Sequence, residues 1–214
     1  MQINNIIFDF NGTIIDDVDL CLQLLNESLK RFNHPTISKE KYKNIFRFPI
    51  IEYYKLAGFD FDSEKENYDQ LAVRFQDEYH LKCNDCKLYA NIKETLERYS
   101  KDKRLIILSA TLTNELIIQL DHYGITGYFQ DILGIDTIYA EGKIDVAKSF
   151  MASNELDSDK TVVIGDTDHD YEVAKVLGCH SILFSQGHQS RKTLEKCNPD
   201  YVIDDIKELW NIIQ

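Results

Sequence analysis

Two short apolar runs in this sequence lead directly into acidic clusters. Ile6-Ile7-Phe8 is followed by Asp9-Phe10-Asn11-Gly12-Thr13, and Val162-Val163-Ile164 by Gly165-Asp166-Thr167-Asp168-His169-Asp170. A carboxylate after a strand lies at the carboxyl edge of a sheet, where open α/β folds bind ligands. Gly12 allows a sharp turn there. Asp, Asn and Gly are also ordinary turn residues after any strand, so the first cluster alone is compatible with a plain turn. The second is more demanding, because Asp166, Asp168 and Asp170 repel one another unless a cation or a basic group compensates. A hard divalent ion with oxygen ligands is the economical answer. Capping of the following helix accounts for one Asp, and for three only poorly.

Two further residues could act with these. Ser109 follows the apolar run Leu105 to Leu108 and offers a hydroxyl; Lys143 stands near the start of a helical stretch and offers a positive charge. Both suit phosphate oxygens. Taken singly, each is commonplace: a serine after a strand is usually a turn residue, and a lysine at a helix start is usually solvated.

The elements that would position these residues alternate between short β-rich runs and helical periodicity, the pattern of a parallel sheet covered by helices on both faces. Strands are expected at Ile6 to Phe8, Leu105 to Leu108, Thr161 to Ile164 and Ser181 to Phe184, with a weaker one at Tyr201 to Ile203. Helices are expected from Thr113 to Tyr123, stopped by Gly124, from Ile144 to Asn154, from Asp168 to Leu177, stopped by Gly178, and from Asp205 to Ile213. From Asp16 to about residue 85 the alternation breaks, and only helical periodicity is found. Val18, Leu22, Leu25, Leu29 and Phe32 form one apolar face, and Tyr68, Leu71, Phe75 and Tyr79 another. Pro49 can open a short helix from Ile50 to Ala57 that Gly58 closes.

Composition narrows the partners. The formal net charge is -12, from 36 acidic and 24 basic residues, and the basic ones are scattered, so a nucleic-acid backbone would be repelled. No apolar run approaches the roughly 18 residues needed to span a bilayer, and the start lacks a basic region followed by a cleavable apolar stretch. A soluble, unexported, cytoplasmic protein is expected. The five cysteines, an odd number, fit reduced thiols in that compartment. Cys83 and Cys86 form a CxxC pair without a second pair at zinc spacing, and are read as two partly buried thiols near a hinge.

In order along the chain, FDFNGT, LSA, Lys143 in EGK, and IGDTDHD followed by EVAKVLG resemble the four motifs of the haloacid dehalogenase superfamily. The resemblance runs from residue 3 to about 185. It implies an α/β fold with a Rossmann-like parallel sheet core (1–15 and 86–214) and an inserted helical cap (16–85). It further implies a magnesium-dependent phosphatase acting on small phosphorylated metabolites. Asp9 would be the nucleophile that forms an aspartyl-phosphate, and Ser109 and Lys143 would hold the phosphoryl oxygens, in a pocket completed by Asn11, Gly12 and Ala110. Asp9, the backbone carbonyl of Asn11 and Asp166 would hold magnesium, with Asp170 supporting that shell; Asp168 has no counterpart.

The sequence departs from the family at Asn11, where phosphatases usually carry a second Asp that protonates the leaving oxygen and then deprotonates the attacking water. Asn can do neither, although its carbonyl can still bind metal. Asp16, Asp17, His169 and His188 are candidate substitutes. Two alternatives follow: a phosphometabolite-binding or sensor protein that kept the site and lost the acid/base, and a phosphonate hydrolase using a cap lysine such as Lys43 or Lys55. Dehalogenase chemistry, which needs no metal, fits the acidic GDTDHD run less well.

Overall fold

The structure is a computed structural model that describes residues 1–62, 66–135 and 142–214. The chain begins with strand β1 (Asn5–Phe8) and the two-residue β2 (Ile15–Asp16). Helices α1 (Val18–Arg31), α2 (Lys39–Ile45), α3 (Ile50–Ala57) and α4 (Tyr68–Lys82) follow. Then come β3 (Lys87–Leu88), α5 (Ile92–Tyr99), β4 (Arg104–Leu112), α6 (Thr113–Tyr123) and β5 (Asp131–Ile135). The remainder is α7 (Lys143–Ser153), β6 (Thr161–Gly165), α8 (Asp168–Leu177), β7 (His180–Phe184), α9 (Arg191–Glu195), β8 (Tyr201–Ile203) and α10 (Leu209–Ile212).

Among the described residues, six strands form one parallel sheet in the order β5-β4-β1-β6-β7-β8. Counted along the chain this is the doubly wound order 3-2-1-4-5-6, in which the direction of winding reverses between β1 and β6. Strand side chains alternate between the faces. Ile6, Phe8, Leu105, Ile107, Val162 and Ile164 enter one buried cluster with α5 and α6, while Ile7, Ile106, Leu108 and Val163 enter another with α7 and α8. Burial on both faces explains why these strands read as continuous apolar runs.

A third cluster is drawn entirely from the helical segment, including Val18, Leu25 and Leu29 of α1, Tyr42, Tyr53 and Tyr54, and Leu71 and Tyr79 of α4. Both expected helix faces are thus used, with Leu22, Phe32, Tyr68 and Phe75 packed at the rim. α3 runs from Ile50 to Ala57 behind Pro49, and Gly58 ends it at a φ of 131°. Where the chain leaves and re-enters the sheet domain, β2 and β3 pair antiparallel, Ile15 with Leu88 and Asp16 with Lys87.

The structure adds β2, β3, α5 and α9 to the expected elements, carries β4 past Leu108 to Leu112 so that Ser109 lies within the strand, and differs at two further elements. β5 has no strong apolar signature because it is an edge strand whose first three residues are half-buried, and because Gly134 is required where the strand meets the α6 backbone at Thr113. The closing segment divides into a 3₁₀ turn at Ile206–Glu208 and the short α10. Among the described residues no helix is long and apolar enough to cross a membrane.

Candidate active site

The register of the central strands sets the site. Phe8 pairs with Ile107 of β4 and Ile164 of β6, so the residues just beyond these positions converge at the carboxyl edge. Asp9 follows β1 and Asp166 follows β6, which places them on either side of the switch point. Ser109 lies within β4, and Lys143 is the first residue of α7. Asp9, Ser109, Lys143, Asp166 and Asp170 are all buried.

Asp9, Asp166 and Asp170 each offer a carboxylate oxygen, all within 4.8 Å of one another. Lys143 Nζ donates to Asp9 Oδ1 at 2.5 Å and to Asp170 Oδ1 at 2.7 Å, tying the two ends of the site together. The other oxygen of Asp170 accepts from the backbone of Asp166 and Thr167 and from the Thr167 hydroxyl at 3.2, 3.0 and 2.8 Å. Asp170 therefore both caps α8 and faces the cluster. Asp168 is separate: Gln189 holds its backbone N–H at 2.8 Å and its carboxylate at 2.7 Å, and Gln189 also donates to the Phe46 carbonyl of the helical segment.

Close backbone approach shapes the floor. Gly12 has a φ of 71°, and a side chain there would collide with Asp166 and His188; one at Gly187 would strike Asp166 and the Gly12 carbonyl. Thr13 Oγ1 and the His188 backbone N–H donate to Asp166 at 3.1 and 2.5 Å.

Charge in this pocket is not balanced. Burial, offset by Lys143 and reinforced by Asp170 and Asp166, pushes Asp9 up from 3.8 to about 8. Burial also raises Asp166 to about 6, against the pull of His188. Burial disfavours the Lys143 ammonium too, but Asp170 and Asp9 outweigh it and hold the lysine protonated. The same lysine keeps Asp170 below the usual carboxylate range despite its burial. Among the described residues, the buried carboxylates of Asp9, Asp166 and Asp170 gathered around Lys143 form a hard-oxygen donor set that suits a hard divalent cation.

Asn11 looks away from this cluster. Its Nδ2 donates to Asp17 Oδ2 at 2.8 Å and to the Tyr79 hydroxyl at 2.6 Å, and its Oδ1 accepts from Thr111 Oγ1 at 3.1 Å. Tyr79 in turn donates to Asp17 Oδ2 at 2.7 Å, and Gly12 N–H to Asp17 Oδ1 at 2.9 Å. His188 Nε2 lies 3.2 Å from Asp17 Oδ1, and its Nδ1 lies 2.8 Å from the Tyr42 hydroxyl. Burial works against both ions, yet His188 rises to about 9 through Asp17, and Asp17 falls through His188 and its hydrogen bonds. Asp17, Cys21 and His188 are close enough to share an ion, but every strong acceptor site of Asp17 is already taken by protein donors.

Of the four candidate acid/base substitutes, Asp17 and His188 form this buried pair behind Asn11. His169 lies in the cavity above the cluster, its ring 4.9 Å from that of Phe48. Asp16 is exposed on β2, opposite Lys87. The residues that sequence reasoning passed over are Thr111, Tyr79 and Tyr42. Thr111 stands two residues after Ser109 on a strand, a period-2 signal that was available. The tyrosines come from helices with no local signature of a site. Ser109 Oγ donates to Thr111 Oγ1 at 3.1 Å, so Ser109 and Asn11 are linked through one threonine. Ala110 lines the same cavity.

A family model described as haloacid dehalogenase-like hydrolase matches residues 6–184. The chain is 23% identical over 220 residues to a phosphoglycolate phosphatase of Vibrio parahaemolyticus, covering 99% of this chain and 96% of the relative. It is also 23% identical over 217 residues to a pyrophosphatase of Oceanobacillus iheyensis, covering 100% and 98%. A haloacid dehalogenase-like family hydrolase from Streptococcus pneumoniae superposes with a TM-score of 0.76 at 21% identity, covering 98% of each chain, a likeness of fold.

Proposed function

This chain belongs to the haloacid dehalogenase-like hydrolase family, and from that premise we propose that it is a magnesium-dependent phosphatase of small phosphorylated metabolites using Asp9 as nucleophile. The observation that carries this reading is Asp9 at the strand-switch edge, joined by Lys143 Nζ to Asp170 and facing Asp166.

In this reading an Asp9 oxygen attacks phosphorus, the bond from phosphorus to the ester oxygen breaks, and the departing alkoxide takes its proton from solvent water, since the amide at position 11 has none to give. Water then splits the aspartyl-phosphate, returning Asp9 and releasing orthophosphate. Ser109 and Lys143 hold the phosphoryl oxygens, with Asn11, Gly12 and Ala110 completing the pocket. Magnesium would be held by Asp9, Asp166 and the Asn11 carbonyl with Asp170 behind them, and supplies the positive charge that lets a carboxylate approach a phosphate. Residues 16–85 act as a cap, since their aromatic cluster supplies the far walls of the cavity above Asp9, and closure excludes water from the phosphoryl group.

The experiment is hydrolysis of 4-nitrophenyl phosphate with and without magnesium, in wild type, Asp9→Asn and Asp166→Asn. Magnesium-dependent turnover that falls about 10³-fold or more in Asp9→Asn is expected. Turnover that survives Asp9→Asn would remove Asp9 from the chemistry.

One observation favours a second reading, a phosphometabolite-binding or sensor protein: position 11 is an amide, which has no proton to give, and hydrogen bonds at both its ends hold it in place. Magnesium-dependent phosphate binding without turnover of any ester would select it. A phosphonate hydrolase gains no support, because neither nominated lysine lines the cavity. Lys43 donates to the Ser185 and Gln186 carbonyls, and Lys55 pairs with Glu52 on the surface.

A further inference from the structure

The cavity that starts at Asp9 and Lys143 extends beneath the helical segment and has a volume of about 680 Å³. Pockets of about 300–1,000 Å³ hold molecules of drug size, so a two-carbon or purely inorganic phosphate would fill only a corner of this one. Beyond the carboxylate cluster, its walls come from Phe46, Phe48, Ile51, Tyr53, Tyr54 and Phe75. These are the inner surface of an aromatic cluster in which Phe46 packs on Tyr53 and Phe48, and Tyr53 on Tyr54.

The charges on these walls are of the wrong sign for a second anion. Among the described lining residues the only lysine or arginine is Lys143, already shared by Asp9 and Asp170. Of the lining histidines, His188 is paired with Asp17, and His80 lies 2.7 Å from Glu115. His169 lies 3.4 Å from Glu172, and both of these glutamates also line the cavity. Arg74 is turned to Glu78 on the exposed side of α4, and Arg47 is exposed with its Nε on the Ile45 carbonyl. A carboxylate or second phosphate placed against these rings would lose its hydration with no free lysine or arginine among the described lining residues to compensate its charge. Hydrogen-bonding contact is available: His169 Nε2 is buried with no hydrogen-bond partner among the described residues, and Gln76 adds an amide.

We infer that the substrate is the monophosphate ester of an uncharged alcohol with a flat aromatic body, and that small phosphates bearing a second anionic group are poor substrates. This rests on the phosphatase reading and sets the chain apart from the phosphoglycolate phosphatase and pyrophosphatase it is similar to, whose names each specify a compound with two anionic groups. The ester phosphate sits at Asp9, the ring system stacks among Phe46, Phe48 and Tyr53, and a neutral donor or acceptor on the body meets His169.

The test compares kcat/KM, with magnesium, for benzyl phosphate and adenosine 5′-monophosphate against phosphoglycolate and inorganic pyrophosphate. The first pair have neutral aromatic bodies on an alkyl ester, which keeps leaving-group chemistry comparable with phosphoglycolate. An advantage of about tenfold or more for the aromatic pair is expected. Phe48→Ala should raise KM for that pair with little change in kcat, and Gln76→Arg should shift the ratio toward phosphoglycolate. Hydrolysis of all four with phosphoglycolate or pyrophosphate preferred would overturn the inference and leave the phosphatase reading standing. If no ester is turned over, that reading falls, and binding to Asp9→Asn followed by thermal shift still decides the pocket: stronger stabilisation by phosphoglycolate than by benzyl phosphate would overturn the inference there too.

Discussion

Asn11 Nδ2 lies 2.8 Å from Asp17 Oδ2, with the Tyr79 hydroxyl bound to both. The amide gives Asp17 a donor that a carboxylate at position 11 would lack. A second Asp there would place two buried negative groups in hydrogen-bond contact, and one would have to take up a proton. An amide at position 11 therefore matches the presence of Asp17, which is itself paired with His188.

The first prediction follows from that contact. Asn11→Asp should lower stability at pH 8 by about 1–3 kcal/mol. Its raised carboxyl pKa makes the penalty grow with pH above the ordinary carboxylate range and shrink as pH falls. Asp17→Asn in the same chain should recover part of the loss by restoring an amide opposite a carboxylate. Urea denaturation at pH 6 and pH 8 measures this; an Asn11→Asp protein as stable as wild type at pH 8 would show that Asp17 does not select the amide.

Lys143→Met should be among the most damaging single changes in the sheet domain. It leaves Asp9 and Asp170 buried without their shared cation, and breaking such a pair typically costs about 3–5 kcal/mol. Added magnesium should recover more stability in this variant than in wild type, because the uncompensated charge is larger. Denaturation curves in chelator and in magnesium check both points, and a loss under about 1 kcal/mol would contradict the pairing.

The His188–Asp17 pair predicts a pH dependence. His188 is raised from 6.5 to about 9, so its stabilisation is complete below about pH 6.5 and is lost as pH climbs through about 9. Asp17 is lowered, so its part is present above its ordinary value of 3.8 and is lost as pH falls through its lower folded value. The stability difference between wild type and His188→Gln should therefore be greatest near pH 5–6 and decline toward pH 9, by about 3 kcal/mol at most. A difference that is flat from pH 6 to pH 9 would mean the imidazole is neutral in the folded protein.

Tyr79→Phe should loosen the join between α4 and the sheet. The hydroxyl links the helical segment to Asn11 and Asp17, and a hydrogen bond to a charged group is worth about 1.5–3 kcal/mol. If residues 16–85 close over the site, KM for an aryl phosphate should rise more than kcat falls. Amide exchange around Ile15 and Leu88, the paired crossings, should quicken in the variant.

Much of this protein is written in local pattern. The apolar runs of β1, β4, β6 and β7, the Pro49 and Gly58 bounds of α3, and the stop of α8 at Gly178 depend on neighbours within a few residues, and all stand where the residues place them. So do Asp9 and Asp166, because a strand's end is a local event and a parallel sheet brings such ends to one edge. β5 escaped notice because its glycine answers to the α6 backbone instead of its own run. What only the tertiary structure decided is who shares a hydrogen bond across the chain. Tyr79 meets Asn11 across 68 positions, and Tyr42 meets His188 across 146. No periodicity encodes such meetings, since they arise when packing of the helical cluster closes long loops over the sheet edge. The same packing turned Asn11 toward Asp17 and gave the cavity its aromatic walls, while Lys143 at its base follows from the start of α7, a feature already visible in the sequence.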